Sequence, residues 1–325
     1  MIQKNYITQE QGEVLSFPYD WKQTFEHPFE MARVVNEAFT IKRFVSAADE
    51  RQIGLEILIY LHDYTFATRE QLKRLLKLKG VLSVENDVEM ADILLDSILQ
   101  NYVDNRLINY FTLSSYELEE VPDDAFKIYC LDHAARYILS HFYHDDVAVT
   151  WKSTNALKSA ELISKYLMTG EFYLSLLTVK GSSLKAFQPT ADFRIRSREI
   201  RFSAAIQILN GATLIDCILE VVRSADIPVY WNKKTEEQIV PFIAENFWKK
   251  YFRLEPIMIF VAENMKQAEE LAEIYYRKSE SNMFRVTIDS ELLKGIDEAA
   301  FYKYNPNNIL GERLIPVPAT LFKTV

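Results

Sequence analysis

The stretch QIGLEILIYLHDYTFATREQLKRLLKLKG, Gln52 to Gly80, reads as two helices joined by a tight turn. Ile53, Ile57, Leu58, Leu61 and Tyr64 fall on one face at helical spacing. Thr68 is placed to cap the second helix, with Gln71 at the reciprocal capping-box position and Gly80 as the stop. A third helix follows in VEMADILLDSILQNYVDN, capped by Asn86 or Asp87, with Val88, Leu95, Ile98, Leu99 and Tyr102 repeating on one side. RLINYFTL (Arg106 to Leu113) then alternates as a strand, SSYELEEVPDDA supplies a turn, and FKIYCL returns. Three helices followed by a β-ribbon is the order of a winged helix-turn-helix. A last helix from His133 to Tyr143 is expected behind it.

Working outward, residues 1–50 read as an N-terminal arm of little periodicity, although Pro28 to Phe39 has apolar residues at helical spacing. The winged helix then occupies 51–148, and the pattern changes after Trp151. An amphipathic helix is expected over Asn155 to Leu167, with strands at Phe172 to Thr178, Leu184 to Phe193, Ile200 to Leu209 and Leu214 to Val222. A helix from Thr235 to Phe252 precedes the buried strand PIMIFV (Pro256 to Val261). Asn264 and Gln267 cap MKQAEELAEIYYRK, and FRVTI (Phe284 to Ile288) closes a strand, helix, strand unit that predicts a parallel pair with a right-handed crossover. Residues 149–325 are therefore expected to form an α/β domain with a mixed sheet, and the chain overall is α+β.

The composition suits two compact domains. With 49% hydrophobic residues, 20 Phe and 18 Tyr against 8 Gly and 10 Pro, 325 residues supply ample buried area and few linkers. No window is apolar enough to cross a bilayer and the N-terminus lacks a secretory pattern, so a cytoplasmic protein without membrane association is expected. Cys130 and Cys217 sit in apolar runs, which predicts buried reduced thiols. The net charge of −9 repels phosphate at long range, so any nucleic-acid contact must come from a local basic patch. GxxxxGK[ST], GxGxxG and GxSxG are all missing from the sequence, and Gly is too scarce for a phosphate cradle; no cofactor is expected.

Three constellations bear on chemistry. Arg69, Lys73, Arg74, Lys77 and Lys79 make the second helix the densest basic run and the expected DNA-binding surface, with a solvated helix face as the bland alternative. The third helix carries Asp87, Glu89, Asp92, Asp96 and Asp104, whose charge opposes reading of a phosphate-lined groove. Asp192 and Glu220 are carboxylates at strand positions. On neighbouring strands they would hold magnesium, while a lysine oriented water as in a metal-dependent nuclease. Val222 stands where that lysine would be wanted and Arg223 points to the other face, which leaves Lys233 or Lys234 as substitutes. A zinc clasp by His141, His144 and Asp145 is the third, set against histidines that simply favour a helix C-terminus.

The segments QIGLEILIYLHDYTFATREQLKRLL, YCLDHAARYIL, HDDVAVTWKSTNAL, ADF, ILEVVR and PIMIFVAENMKQAEELAEI together resemble the replication-relaxation family over about residues 50 to 290. The resemblance implies a winged helix followed by a restriction-endonuclease-like domain, acting in plasmid mobilisation or replication beside a relaxase. It carries over Asp192, Glu220 and Arg223 as a residual site. Ala134 and Ala135 replace a family Gly, and ILEVVR departs from the LEVDR-like pattern at Val222, so catalysis is not carried over.

The sequence thus leads to a non-enzymatic DNA-associated accessory protein of a mobile element, with double-stranded DNA and a relaxase or other mobilisation protein as partners. Three rivals remain: a metal-dependent nuclease if Asp192 and Glu220 converge with Lys233 or Lys234, a protein-protein adaptor if the Arg69 to Lys79 face is covered, and a winged-helix transcription regulator.

Overall fold

The computed structural model describes residues 5–15, 17–29, 36–46, 48–82, 88–143, 151–180, 183–281, 283–296, 301–308 and 313–317. It divides into two compact units, residues 1–170 and 171–325.

In the first unit the sequence's local signals become helices α1 (Gln9–Val14), α2 (Glu37–Ser46), α3 (Ala48–Tyr64), α4 (Arg69–Leu78), α5 (Val88–Asp104) and α6 (Ala135–Phe142). Thr68 and Gln71 make the reciprocal capping box that starts α4, and Gln71 Nε2 also donates to the Leu167 carbonyl at 2.9 Å. The strands are β1 (Lys22–Phe25), β2 (Ala67–Thr68), β3 (Ile108–Ser114) and β4 (Ile128–Leu131), in the order β1-β3-β4-β2 and antiparallel throughout. From α3 to β4 the chain runs helix, short strand, helix, helix, β-ribbon, which is winged-helix order. Leu58, Leu61, Phe66, Leu72, Leu76, Leu95 and Phe111 are buried in this unit.

The structure departs from expectation in three places. The arm is part of the fold, because Lys22–Phe25 pairs in register with Phe111–Ser114 and Phe44 of α2 is buried. Phe172 to Thr178 is helix, not strand: it lies in α7 (Ala160–Lys180), a helix of 21 residues. Its aromatic and β-branched residues imitate a strand, but Phe172, Leu174 and Leu176 are all buried and the helix accommodates them. The two units divide within α7, later than the 148/149 boundary expected from the pattern change, since Ser164 and Leu167 bond to residues of the first unit.

The second unit is built on a seven-stranded mixed sheet, ordered β11-β10-β9-β8-β7-β6-β5. The strands are β5 (Leu184–Ile195), β6 (Arg198–Asn210), β7 (Thr213–Val221), β8 (Ile257–Ala262), β9 (Phe284–Ile288), β10 (Phe301–Tyr304) and β11 (Leu314–Val317). β5, β6 and β7 form an antiparallel meander, while β7, β8 and β9 are parallel. A helical stretch from Ile227 to Ala244 links β7 to β8, and α8 (Met265–Ser279), capped by Asn264, links β8 to β9. Trp231, Phe242, Leu271 and Tyr275 from these connections share a core with Phe202, Ile218, Phe260 and Phe284 from the strands. Cys130 and Cys217 are free and buried, and burial pushes the Cys217 thiol up to about 12.

Candidate functional site

Every candidate carboxylate in the second unit is already engaged. Glu220 lies near the end of β7, 4% exposed, and Lys234 comes from the connection that follows that strand. Lys234 Nζ donates to Glu220 Oε1 at 2.5 Å and to the Arg201 carbonyl at 2.8 Å, and the Ser203 amide donates to Glu220 Oε2 at 3.2 Å. The ammonium also lies 5.2 Å from the Phe202 ring centroid. So Lys234, not Lys233, is the lysine that doubles back to the glutamate; Lys233 is exposed. A buried carboxylate with both oxygens satisfied by a lysine and a peptide amide is a structural pair, and a divalent ion must displace Lys234 to reach it.

Asp192 and Glu220 do not sit on neighbouring strands. β6 lies between β5 and β7, which separates the two backbones by about two strand spacings, roughly 9.6 Å. Asp192 is instead opposite Arg201 on β6, whose Nε and Nη2 donate to its two oxygens at 2.7 and 2.9 Å. Both side chains are well exposed, at 43% and 65%.

Beyond the ends of the parallel strands Arg223 meets acids that the sequence did not group with it. Arg223 is fully buried and donates to both oxygens of Asp289, at 2.6 and 3.1 Å. Its backbone amide donates to Asp226 at 3.1 Å, and Glu263 lies 3.9 Å from its guanidinium. Ser224 and Gln267 both donate to Glu263 Oε2. Burial pushes the Glu263 carboxyl above its ordinary range, with Asp289 adding repulsion against the hydrogen bond from Gln267. Asp289 is likewise raised by burial, although Arg223 pulls it down. Asp289 follows FRVTI directly, a strand-end acid whose partner lies 66 residues away in the chain. Arg223 thus lies apart from Glu220, held by other acids.

In the first unit the basic run is largely occupied by its own neighbours. Arg69 pairs with Glu70, Asp92 and Asp96, Lys73 pairs with Asp92 at 2.6 Å, and Lys79 lies 3.5 Å from Glu56. The Lys73 ammonium and Arg69 guanidinium hold Asp92 below the usual carboxylate range. Arg74 is half-buried and Lys77 exposed. The acidic face of α5 therefore meets α4. His141 lies on α6 against the Phe142 ring, while His144 and Asp145 fall outside the described residues. Among the described residues no group of three or more His, Cys, Asp or Glu is placed to hold a metal ion, and no helix is long and apolar enough to cross a membrane.

These features define an α+β protein in which winged-helix order precedes a mixed-sheet unit with internally paired carboxylates. No family model matches the sequence, and no curated protein matches it. Among solved structures, restriction endonuclease FokI is similar over 76% of this chain and 42% of its own, at 14% identity and a TM-score of 0.25. The chain thus spans under half of that protein's length, and a likeness of that score carries no argument about function.

Proposed function

We propose that this is a non-enzymatic DNA-associated accessory protein of a mobile element, acting in plasmid mobilisation or replication. One observation carries the non-enzymatic part: Glu220 spends both carboxylate oxygens on Lys234 and the Ser203 amide, while Asp192, two strands away, spends its own on Arg201. Magnesium-dependent hydrolysis needs carboxylates that converge and remain open to the ion. The winged-helix order supports DNA association, and the resemblance to the replication-relaxation family supports the setting and a restriction-endonuclease-like ancestry for the second unit. The test is fluorescence anisotropy of the full chain with labelled duplex DNA at low salt. Binding with a dissociation constant of about 10 μM or tighter, weakening as salt rises, is expected. Flat anisotropy up to roughly 100 μM protein would overturn the reading.

A second reading, a protein-protein adaptor, is favoured by the ion pairs of Arg69 and Lys73 with α5. They leave α4 with little positive charge to offer, while Met90, Ile93 and Leu94 of α5 are 59%, 56% and 40% exposed. A relaxase or other mobilisation protein is the partner the family resemblance suggests. In this reading Ile93→Glu abolishes co-purification with a relaxase encoded nearby and leaves DNA binding intact; loss of DNA binding instead would count against it.

A further inference from the structure

Between Arg194 and Arg201, RIRSREIR places arginine at four of eight positions, in a chain whose net charge is −9. These residues form the tip of the β5–β6 hairpin, with the turn at Arg196 and Ser197. Strand alternation buries Phe193, Ile195, Ile200 and Phe202 and sends Arg194 and Arg201 to the opposite face, while Arg198, across from Ile195 and in phase with Ile200, is exposed because it stands next to the turn. The side chains of Arg194, Arg196, Arg198 and Arg201 are 67%, 72%, 77% and 65% exposed.

Each arginine has a carboxylate neighbour, and each pairing is open to water. Arg194 lies 3.7 Å from Glu199, Arg196 2.8 Å from Glu245, Arg198 3.7 Å from Glu237 and Arg201 2.7 Å from Asp192. Exposed ion pairs of this kind are weak, so a competing anion can replace the carboxylate at little cost. The short helical turn Phe247–Lys250 adds Lys249 and Lys250, both exposed, whose ammonium groups lie over the Trp248 and Phe247 rings. That turn is tied to the hairpin by Tyr251, which accepts from the Arg194 amide at 2.8 Å and packs its ring against Phe193. The tip thus carries cations on both faces of the ribbon, Arg194 and Arg201 on the open face and Arg196 and Arg198 toward Glu245 and Glu237 of the helical connection, with Lys249 and Lys250 on the adjoining turn.

We propose that the β5–β6 hairpin tip, with Lys249 and Lys250, is a phosphate-contacting surface for double-stranded DNA. The proposal rests on the DNA-associated reading and assigns its contact to the second unit, where the basic helix α4 is occupied by its own ion pairs. Guanidinium forks match phosphate oxygens in a bidentate way, and a two-stranded ribbon is narrow enough for the major groove. The carboxylates act as tethers that hold the arginines extended and set a modest affinity.

The test measures anisotropy of the full chain with a labelled duplex of about 30 base pairs, and with one of its strands, over a salt series. The double variant Arg196→Glu/Arg198→Glu should weaken duplex binding at least tenfold and flatten the slope of log K against log salt by about two, one for each phosphate that the variant no longer neutralises. Glu237→Gln/Glu245→Gln should tighten binding about threefold, an improvement that no misfolded variant imitates. Duplex binding by the wild type that both variants leave unchanged would overturn the hairpin assignment and spare the DNA reading. A wild-type preference for the single strand would overturn the duplex assignment. Absence of wild-type binding to either would remove the DNA reading and the hairpin proposal with it.

Discussion

At the scale of single residues, the second unit is held by ion pairs that only long-range register creates. Lys234 and Glu220, 3% and 4% exposed, form the most consequential of them. Removing one partner of a buried pair leaves the other charged and desolvated, at a cost of about 3–5 kcal/mol. Lys234→Met should therefore lower the melting temperature by on the order of 10 °C for a unit of this size. Lys234→Met/Glu220→Leu should recover much of that stability, and a double variant as unstable as the single one would refute this account. Glu263 behaves differently. Its carboxyl is pushed above 4.5 chiefly by burial, so the folded protein binds a proton more tightly than the unfolded chain does. Its contribution to stability is thus full below about 4.5 and is lost as pH rises through the raised value. Glu263→Gln keeps the acceptor for Ser224 and Gln267 and removes the charge. Melting curves across a pH series should show this variant more stable than wild type near neutrality, with the difference vanishing in acid. A difference that persists unchanged at low pH would dismiss the role assigned to Glu263.

At the scale of elements, the packing of α3 against α5 depends on Gly54. A Cβ there would stand 1.7 Å from the Tyr102 hydroxyl and 2.6 Å from the ring carbon that bears it. Gly54→Ala gains about 1 kcal/mol of helix propensity but must displace a buried ring, which costs about 1–3 kcal/mol. A net loss of about 1 kcal/mol is expected in denaturant melts, with partial recovery in Gly54→Ala/Tyr102→Phe, because the hydroxyl is the first atom in the way. A stabilised single variant would mean that the helices separate freely. The elements also mark where sequence reading succeeds. Thr68, Gln71 and the capped helix α4 were legible because a capping box is a local device spanning four residues. β8 and α8 were legible for the same reason, through an apolar run and the Asn264 cap. β1 was not, since Lys22–Phe25 carries no alternation and becomes a strand only because β3 is there to pair with it. β10 and the edge strand β11, four residues each, are likewise products of pairing.

At the scale of the whole molecule, the candidate site shows the same limit. Asp192, Glu220 and Lys234 were each visible in the sequence as residue types, but their grouping was not, because strand order decides it. Placing β6 between β5 and β7 hands Asp192 to Arg201 and leaves Glu220 to Lys234. Phosphodiester hydrolysis requires carboxylates that hold the ion and a positive group that orients water and stabilises the developing charge. Here the positive group sits directly on the carboxylate, 2.5 Å away. A magnesium ion would have to expel a buried ammonium that also bonds to the Arg201 carbonyl, and would then find one carboxylate where Asp192 faces elsewhere. The expected outcome is that supercoiled plasmid and linear duplex stay intact with magnesium or manganese over hours at micromolar protein, and that adding EDTA shifts the melting temperature by less than about 2 °C, since among the described residues no group of three or more His, Cys, Asp or Glu is placed to hold an ion. Nicking that appears with metal and is abolished by both Asp192→Ala and Glu220→Ala would mean that the two carboxylates do converge on an ion, and would replace the accessory role with that of a nuclease.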